Sequence, residues 1–260
     1  MFDSPPIQST RDSFRPADHG LLHEPAAQAP SPQSDEVAAM LSLVQRAVSI
    51  HRRVVRAGDV IYRSGDAFDA LHVLSAGICK LVNVSSDGRE QIVSIKFRGD
   101  WMGFDGIGSG TYNCNAVALD TGEVWTIKYS AVLAGCAAEP ALVGVLHVAM
   151  SKAIVGDRDS LMSVCTLPAD ARVADFLRYW ASALAERGMR CDLISLRMTR
   201  ADIGGYLGLT LETVSRALSK LARANLIAFN ERGRREICIP DVAALSAFVQ
   251  RSVTPAAALH

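Results

Sequence analysis

The chain has 260 residues, 49% apolar and 21% charged, which is the composition of an ordinary folded protein with room for two domains and a sizeable core. Its 27 basic and 27 acidic residues cancel, so any basic surface has to come from local clustering. No apolar run approaches the roughly 20 residues of a membrane helix, and no basic segment followed by an apolar core opens the chain, so no membrane partner and a cytoplasmic location are expected.

Residues 1–34 are rich in Pro, Ser, Gln and Ala without periodicity, and read as a disordered arm. Residues 35–50 read as a short amphipathic helix. From Val54 to about Gly135 short apolar runs alternate with turn signals such as Ser64-Gly65-Asp66 and Ser85-Ser86-Asp87-Gly88. Strands are predicted near 71–74, 79–84, 91–96 and 124–127, in a small antiparallel sandwich or barrel. The run from Ser85 to Gly88 reads as a hairpin turn.

Pro140 opens a long helical stretch to about Val164. Val143, Leu146, Met150, Ala153, Ser160 and Val164 follow three- and four-residue steps, a heptad-like seam with Asp157 at a core-type position. The seam predicts a homodimer, and Leu146, Met150, Ala153, Ile154, Asp157 and Leu161 are the expected interface residues; packing of the helix on its own barrel is the competing reading. Pro168 marks a hinge, and a helix is predicted from about Ala169 to Arg187.

The stretch from Met198 to Leu226 is the most specific part of the chain. Thr199 is a candidate N-cap with Asp202 three positions on, a capping-box spacing with Asp in place of Glu. Ile203 and Leu207 share one face, and Gly208 falls where a left-handed residue ends a helix. Thr210 caps a second helix, in which Leu211, Val214, Leu218 and Leu221 are predicted to point inward. Glu212, Ser215, Arg216, Ser219 and Arg223 fall on the other side. Two short helices joined by a tight turn, the second with a polar row, have the layout of a DNA-reading helix-turn-helix.

After the second helix, residues 226–239 hold two apolar runs around Gly233, a hairpin placed as a wing. Arg232, Arg234 and Arg235 lie at its tip. Between Arg197 and Arg235 there are eight Lys or Arg against three Asp or Glu, a net of +5 in a neutral chain. Positive charge therefore concentrates where phosphates would lie.

Barrel, long helix and winged helix-turn-helix, in that order over about Val54–Ile239, resemble the CRP/FNR family of bacterial transcription regulators. WMGFDGIGSG at 101–110 and MTRADIGGYLGLTLETVSR at 198–216 resemble the FNR branch more than the cyclic-AMP branch. The resemblance implies an α+β fold: an N-terminal antiparallel β-roll, a long dimerisation helix and a C-terminal winged helix-turn-helix. It divides the chain into an arm over 1–34, a β-roll sensor domain over 35–139, dimerisation helix and hinge over 140–167, a DNA-binding domain over 168–250, and a tail over 251–260. The family's E-x-x-S-R pattern falls on Glu212, Ser215 and Arg216, which are the implied base contacts. Arginine can bond O6 and N7 of guanine, and glutamate accepts from N4 of cytosine. A TTGAT-like inverted repeat in double-stranded DNA is implied, with RNA polymerase as a further partner; the loop Ser85–Glu90 resembles the family's polymerase-touching surface, and a solvent-exposed turn is its simplest account. Thr199, Arg200, Thr210, Ser219, Arg223, Arg232, Arg234 and Arg235 are expected at the DNA backbone.

The family's oxygen sensors hold an iron–sulfur cluster on an N-terminal cysteine group and one barrel cysteine. Here no cysteine precedes Cys79, and Trp125 stands where the barrel ligand would fall. The cyclic-AMP branch uses a Gly-Glu pair and an Arg-Ser/Thr-Ala segment. This chain has Gly103-Phe104-Asp105-Gly106 and Tyr112-Asn113-Cys114-Asn115-Ala116, with no arginine for the phosphate. Neither cluster nor cyclic nucleotide is expected, and no metal site. Haem stays open, with His51, His72 and His147 as candidate ligands. A redox thiol at Cys165, Cys191 or Cys238 stays open as well. The six cysteines, which also include Cys79, Cys114 and Cys136, show no C-x-x-C pair and suggest neither zinc nor a disulfide framework. The glycines at 106–110 lack the Lys-Ser/Thr of a phosphate loop, and no catalytic motif appears, so an enzyme is not expected. A cyclic-nucleotide-responsive CRP-like regulator is the alternative reading.

Overall fold

Period-two alternation from His51 onward builds two four-stranded antiparallel sheets, and period 3.6 returns at each end of them. The computed structural model describes residues 32–85, 88–230 and 233–253. Helix α1 (Pro32–Ala47) leads into strands β1 (His51–Val55), β2 (Val60–Tyr62), β3 (Ala70–Ala76), β4 (Cys79–Val84), β5 (Glu90–Lys96) and β6 (Trp101–Met102). The short helix α2 (Gly106–Ser109), strands β7 (Asn115–Ala118) and β8 (Gly122–Lys128), and helix α3 (Tyr129–Ala138) follow. One sheet has the order β1-β8-β3-β6 and the other β2-β7-β4-β5.

Side chains of β3 and β8 alternate between two cores. Leu74 and Val124 face the opposite sheet with Tyr62, Met102 and Tyr112. Leu71, Val73, Trp125 and Ile127 face outward, under α1 and α3, with Leu41, Val44 and Val132. The predicted turn after β4 is present: the Ser85 amide donates to Arg89 O at 2.9 Å and the Gly88 amide to Ser85 O at 2.8 Å. Ser86 and Asp87 lie outside the described residues.

Helix α4 (Ala141–Thr166) is 26 residues long, about 39 Å at 1.5 Å per residue. Its first turns pack on the barrel through buried Leu142 and half-buried Val145, Leu146 and Ala149. Further along, Met150, Ile154 and Leu161 are exposed, with Asp157 between them on the same side.

The C-terminal part is built round α5 (Ala169–Ala185). Val173, Phe176, Leu177, Trp180, Ala181 and Leu184 recur at helical spacing and are buried. Strand β9 (Leu193–Ser195), helices α6 (Arg200–Leu207) and α7 (Leu211–Arg223), strands β10 (Ala228–Asn230) and β11 (Gly233–Cys238), and helix α8 (Val242–Val253) surround it. The small sheet runs β10-β11-β9.

Some boundaries differ from the sequence reading. Helix α1 begins at Pro32, inside the segment expected to be an arm. Strand β1 begins before Val54, because exposed Arg52 and Arg53 hide its register. Three-residue β9 is too short for any periodic signal, and α8 runs on to Val253.

Candidate nucleic-acid interface

Local chemistry accounts for α6. Thr199 Oγ1 accepts from the Asp202 amide at 3.0 Å, and Asp202 Oδ2 accepts from the Thr199 amide at 2.9 Å, a complete capping box. Gly208 (φ +64°) ends the helix in the left-handed region, and its amide and that of Leu209 both donate to Gly204 O. A Cβ on Gly204 would lie 2.5 Å from Leu209 O, so the turn closes only over a bare Cα. Sequence reasoning named Gly208 and missed Gly204; the signal was a Gly204-Gly205 pair inside a helix, where glycine is unfavourable.

The Thr210 hydroxyl accepts from the Thr213 amide at 3.2 Å and caps α7. Val214, Ala217, Leu218 and Leu221 are buried. Leu211 is not: it is 47% exposed, which corrects the expectation that it points inward. It is the first residue of the helix, where the core no longer reaches under the first turn.

The opposite side carries the expected row. Glu212, Arg216, Ser219 and Arg223 are exposed and Ser215 is half-buried. Arg216 Nη2 donates to Thr213 Oγ1 at 3.3 Å, and Ser219 Oγ donates to Ser215 O at 2.9 Å. Thr199 and Thr210 are exposed but already serve as caps. Arg200 lies over the Phe229 ring with Cζ 6.0 Å from its centroid. In the wing, Asn230 pairs with Gly233 across the β10–β11 hairpin. Arg235 is exposed, while Arg232 and the Arg234 side chain lie outside the described residues.

Tertiary contacts sort the positive charges of this region. Arg197 Nε sits 3.0 Å from Asp120, and Lys220 pairs with Asp170. Arg216, Arg223 and Arg235 have no ion-pair partner among the described residues and stay available to an anionic polymer.

The seam residues are divided by the fold. Met150, Ile154, Asp157 and Leu161 are exposed on α4, whereas Leu146 is half-buried against its own barrel and Ala153 is half-buried. A cavity of about 660 Å³ lies between β5, the segment 101–105, α4 and Tyr206 of α6. Its walls are largely apolar, from Leu81, Ile92, Met102, Phe104 and Ile154; among the described residues that line it, Lys96, Asp105 and Asp157 are the charged ones and none is an arginine.

The barrel residues beside this cavity fit a cyclic nucleotide poorly. Tyr112, which opens the segment that would hold the phosphate, stacks on Tyr62 at 4.1 Å and donates its hydroxyl to Ala70 O at 2.8 Å. Cys114 lies 3.7 Å from the Asp105 carboxylate, so an incoming phosphate would meet negative charge. Burial, with Asp105 beside it, pushes the Cys114 thiol up to about 12, and burial does the same to Cys79. Those two are poor thiolate donors for a cluster. Among the described residues no three His, Cys, Asp or Glu side chains come together to hold a metal ion.

His72 is buried with both ring nitrogens occupied. Because Tyr112 gives its proton to Ala70, its oxygen accepts from His72 Nε2–H at 3.2 Å. Nδ1 therefore accepts from Thr126 Oγ1 at 3.1 Å, which leaves no ring nitrogen for haem iron. His51 and His147 are exposed. No described helix is long and apolar enough to cross a membrane.

Known proteins share this arrangement. The model of the Crp-like helix-turn-helix domain matches residues 171–248, and that of the cyclic nucleotide-binding domain matches residues 52–139. The fumarate and nitrate reduction regulatory protein of Escherichia coli (strain K12) is 33% identical over 177 residues, 68% of this chain and 71% of that protein. The structure of FixK2 from Bradyrhizobium japonicum superposes with a TM-score of 0.68 at 27% identity, covering 81% of this chain and all of that one. TTHA1359 from Thermus thermophilus, a CRP/FNR-family regulator, has the same fold, with a TM-score of 0.62 at 17% identity over 78% of this chain and all of that one. The Escherichia coli relative is by name a regulatory protein, and two family models, that relative at one-third identity and a shared order of elements lead to one conclusion: the chain belongs to the CRP/FNR family of transcriptional regulators.

Proposed function

We propose that this chain reads duplex DNA as a two-fold dimer. Helix α7 enters the major groove, Arg216 bonds guanine, Glu212 accepts from cytosine, and Ser215 contacts a neighbouring edge. The observation that carries the reading is the row of Glu212, Arg216, Ser219 and Arg223, solvent-facing on one side of a helix capped by Thr210 and held by a buried stripe. Arg200, Arg223 and the wing arginines Arg232, Arg234 and Arg235 take the phosphates. Met150, Ile154, Asp157 and Leu161 form the seam between copies. The site is a TTGAT-like inverted repeat, and RNA polymerase is the second partner, through the loop Ser85–Glu90. The protein works in the cytoplasm without iron–sulfur cluster or cyclic nucleotide, which the carboxylate at Asp105 and the high thiol pKa values of Cys79 and Cys114 support; the occupied nitrogens of His72 speak against haem at that residue.

A gel shift with a TTGAT palindrome, a scrambled duplex and a salt series tests the proposal. Salt-sensitive binding that prefers the palindrome is expected without added nucleotide. Equal binding to both duplexes overturns the specificity. Preference that appears only with cyclic AMP favours the cyclic-nucleotide-responsive alternative.

A further inference from the structure

The helix-turn-helix is held by the barrel as well as by the hinge. On the outer face of the β4–β5 pair, Val82, Ile92, Ile95 and Phe97 are at most 5% exposed and share one core with Trp180, Ile203 and Leu207. Phe97 meets the Trp180 ring edge-on at 5.2 Å. Arg187 reaches across from the end of α5, donating to Asp100 at 2.8 Å and to Arg98 O at 2.7 Å.

Helix α6 is held by polar contacts as well. Lys80 Nζ lies 2.6 Å from Asp202 Oδ1, with both side chains mostly buried, and Gln91 donates to Gly205 O. Asp202 thus has two duties: one oxygen closes the cap of α6 and the other receives an ammonium from the barrel, 122 residues away in sequence. Helix α6 packs on α7 and on β5, and Lys80 of β4 holds Asp202 of α6, so the orientation of α7 is tied to the β4–β5 pair. The grip leaves Glu212, Arg216 and Ser219 of the reading row exposed. A contact that orients a reading helix while leaving it open preorganises binding rather than blocking it.

We propose that Lys80 is a positioning residue for DNA reading, which sets the attitude of the helix-turn-helix by holding Asp202; this rests on the DNA-reading function proposed above. The test uses the full chain with Lys80→Met, Lys80→Arg and Gln91→Ala. Hydrogen–deuterium exchange of α6 is measured, together with affinity for the TTGAT palindrome and for a scrambled duplex. Lys80→Met is expected to speed exchange in α6 and to weaken palindrome binding about three- to tenfold, the range of a partly buried, hydrogen-bonded ion pair. Scrambled duplex should change less, Lys80→Arg should restore both readouts, and Gln91→Ala should move them in the same direction as Lys80→Met. Unchanged exchange, faster exchange with unchanged affinity, or tighter binding by Lys80→Met each overturns the proposal. If the unaltered protein ignores the palindrome, it is the DNA reading that fails, and the exchange arm alone decides whether Lys80 holds α6.

Discussion

Arg216 folds its guanidinium back over α7 onto Thr213, with Nη2 donating to Oγ1 at 3.3 Å, and that hydroxyl lies 3.0 Å from the capping hydroxyl of Thr210. The arginine implied at guanine is thus parked on the start of its own helix. At 3.3 Å the bond is long and exposed, so exchanging it for two bonds to a base costs little.

Arg216→Ala should lose about 1–3 kcal/mol of binding to the palindrome and relax preference at the G·C pair. Arg216→Lys should keep charge but not the bidentate pairing, so it recovers phosphate attraction more than specificity. Anisotropy titrations on matched and single-mismatch duplexes measure both. Equal losses on every duplex would remove Arg216 from base reading.

The exposed stripe on α4 supplies a second prediction. Ile154 is 49% exposed, so Ile154→Glu is tolerated by the fold of one protomer. In a dimer it places two carboxylates at an apolar seam, where desolvation opposes association. Sedimentation should show a monomer, circular dichroism should be unchanged, and palindrome binding should fall. A dimeric Ile154→Glu would move the interface elsewhere.

Two adjacent glycines should respond with opposite sign. A methyl on Gly204 runs into Leu209 O, so Gly204→Ala should destabilise the C-terminal part by about 1–3 kcal/mol, as overpacking does. A Cβ on Gly205 meets nothing within 4 Å, so Gly205→Ala should stabilise it by about 0.5–1 kcal/mol through helix propensity. Thermal unfolding of both variants decides; similar shifts would mean that the turn is looser than its backbone bonds indicate.

Acid should weaken the barrel through His72. Burial, helped by the positive charge of Arg53, lowers its pKa to about 4 from the ordinary 6.5. The unfolded chain therefore binds the proton first, and stability is complete above about pH 6.5 and falls as pH drops toward 4. At about 1.4 kcal/mol per pH unit, the loss reaches roughly 3 kcal/mol. Urea midpoints between pH 4 and 7.5 measure it, and His72→Gln, which does not titrate, should flatten the His72 contribution. An unchanged slope in that variant would assign the acid sensitivity to other groups.

The polar row of α7 was legible because it depends on near neighbours. A cap needs a hydroxyl and a carboxylate three residues apart, as at Thr199 and Asp202, and an amphipathic helix needs only its period, as at Val214, Leu218 and Leu221. Leu211 shows the limit of that logic. It keeps the period and still faces solvent, because burial at a helix end depends on what the rest of the chain puts beneath it.

By itself the sequence determined the order of elements, both caps of the helix-turn-helix and the polar side of α7, since each rests on contacts within a few residues along the chain. Only the tertiary structure decided which charges stay available and what holds the motif in place. Arg197 and Lys220 are taken by Asp120 and Asp170, Leu146 is drawn toward its own barrel, and Asp202 is taken by Lys80. Those partners are far apart in sequence, and an ion pair of this kind has no local signature: it exists only once apolar burial has brought a barrel strand and α6 together.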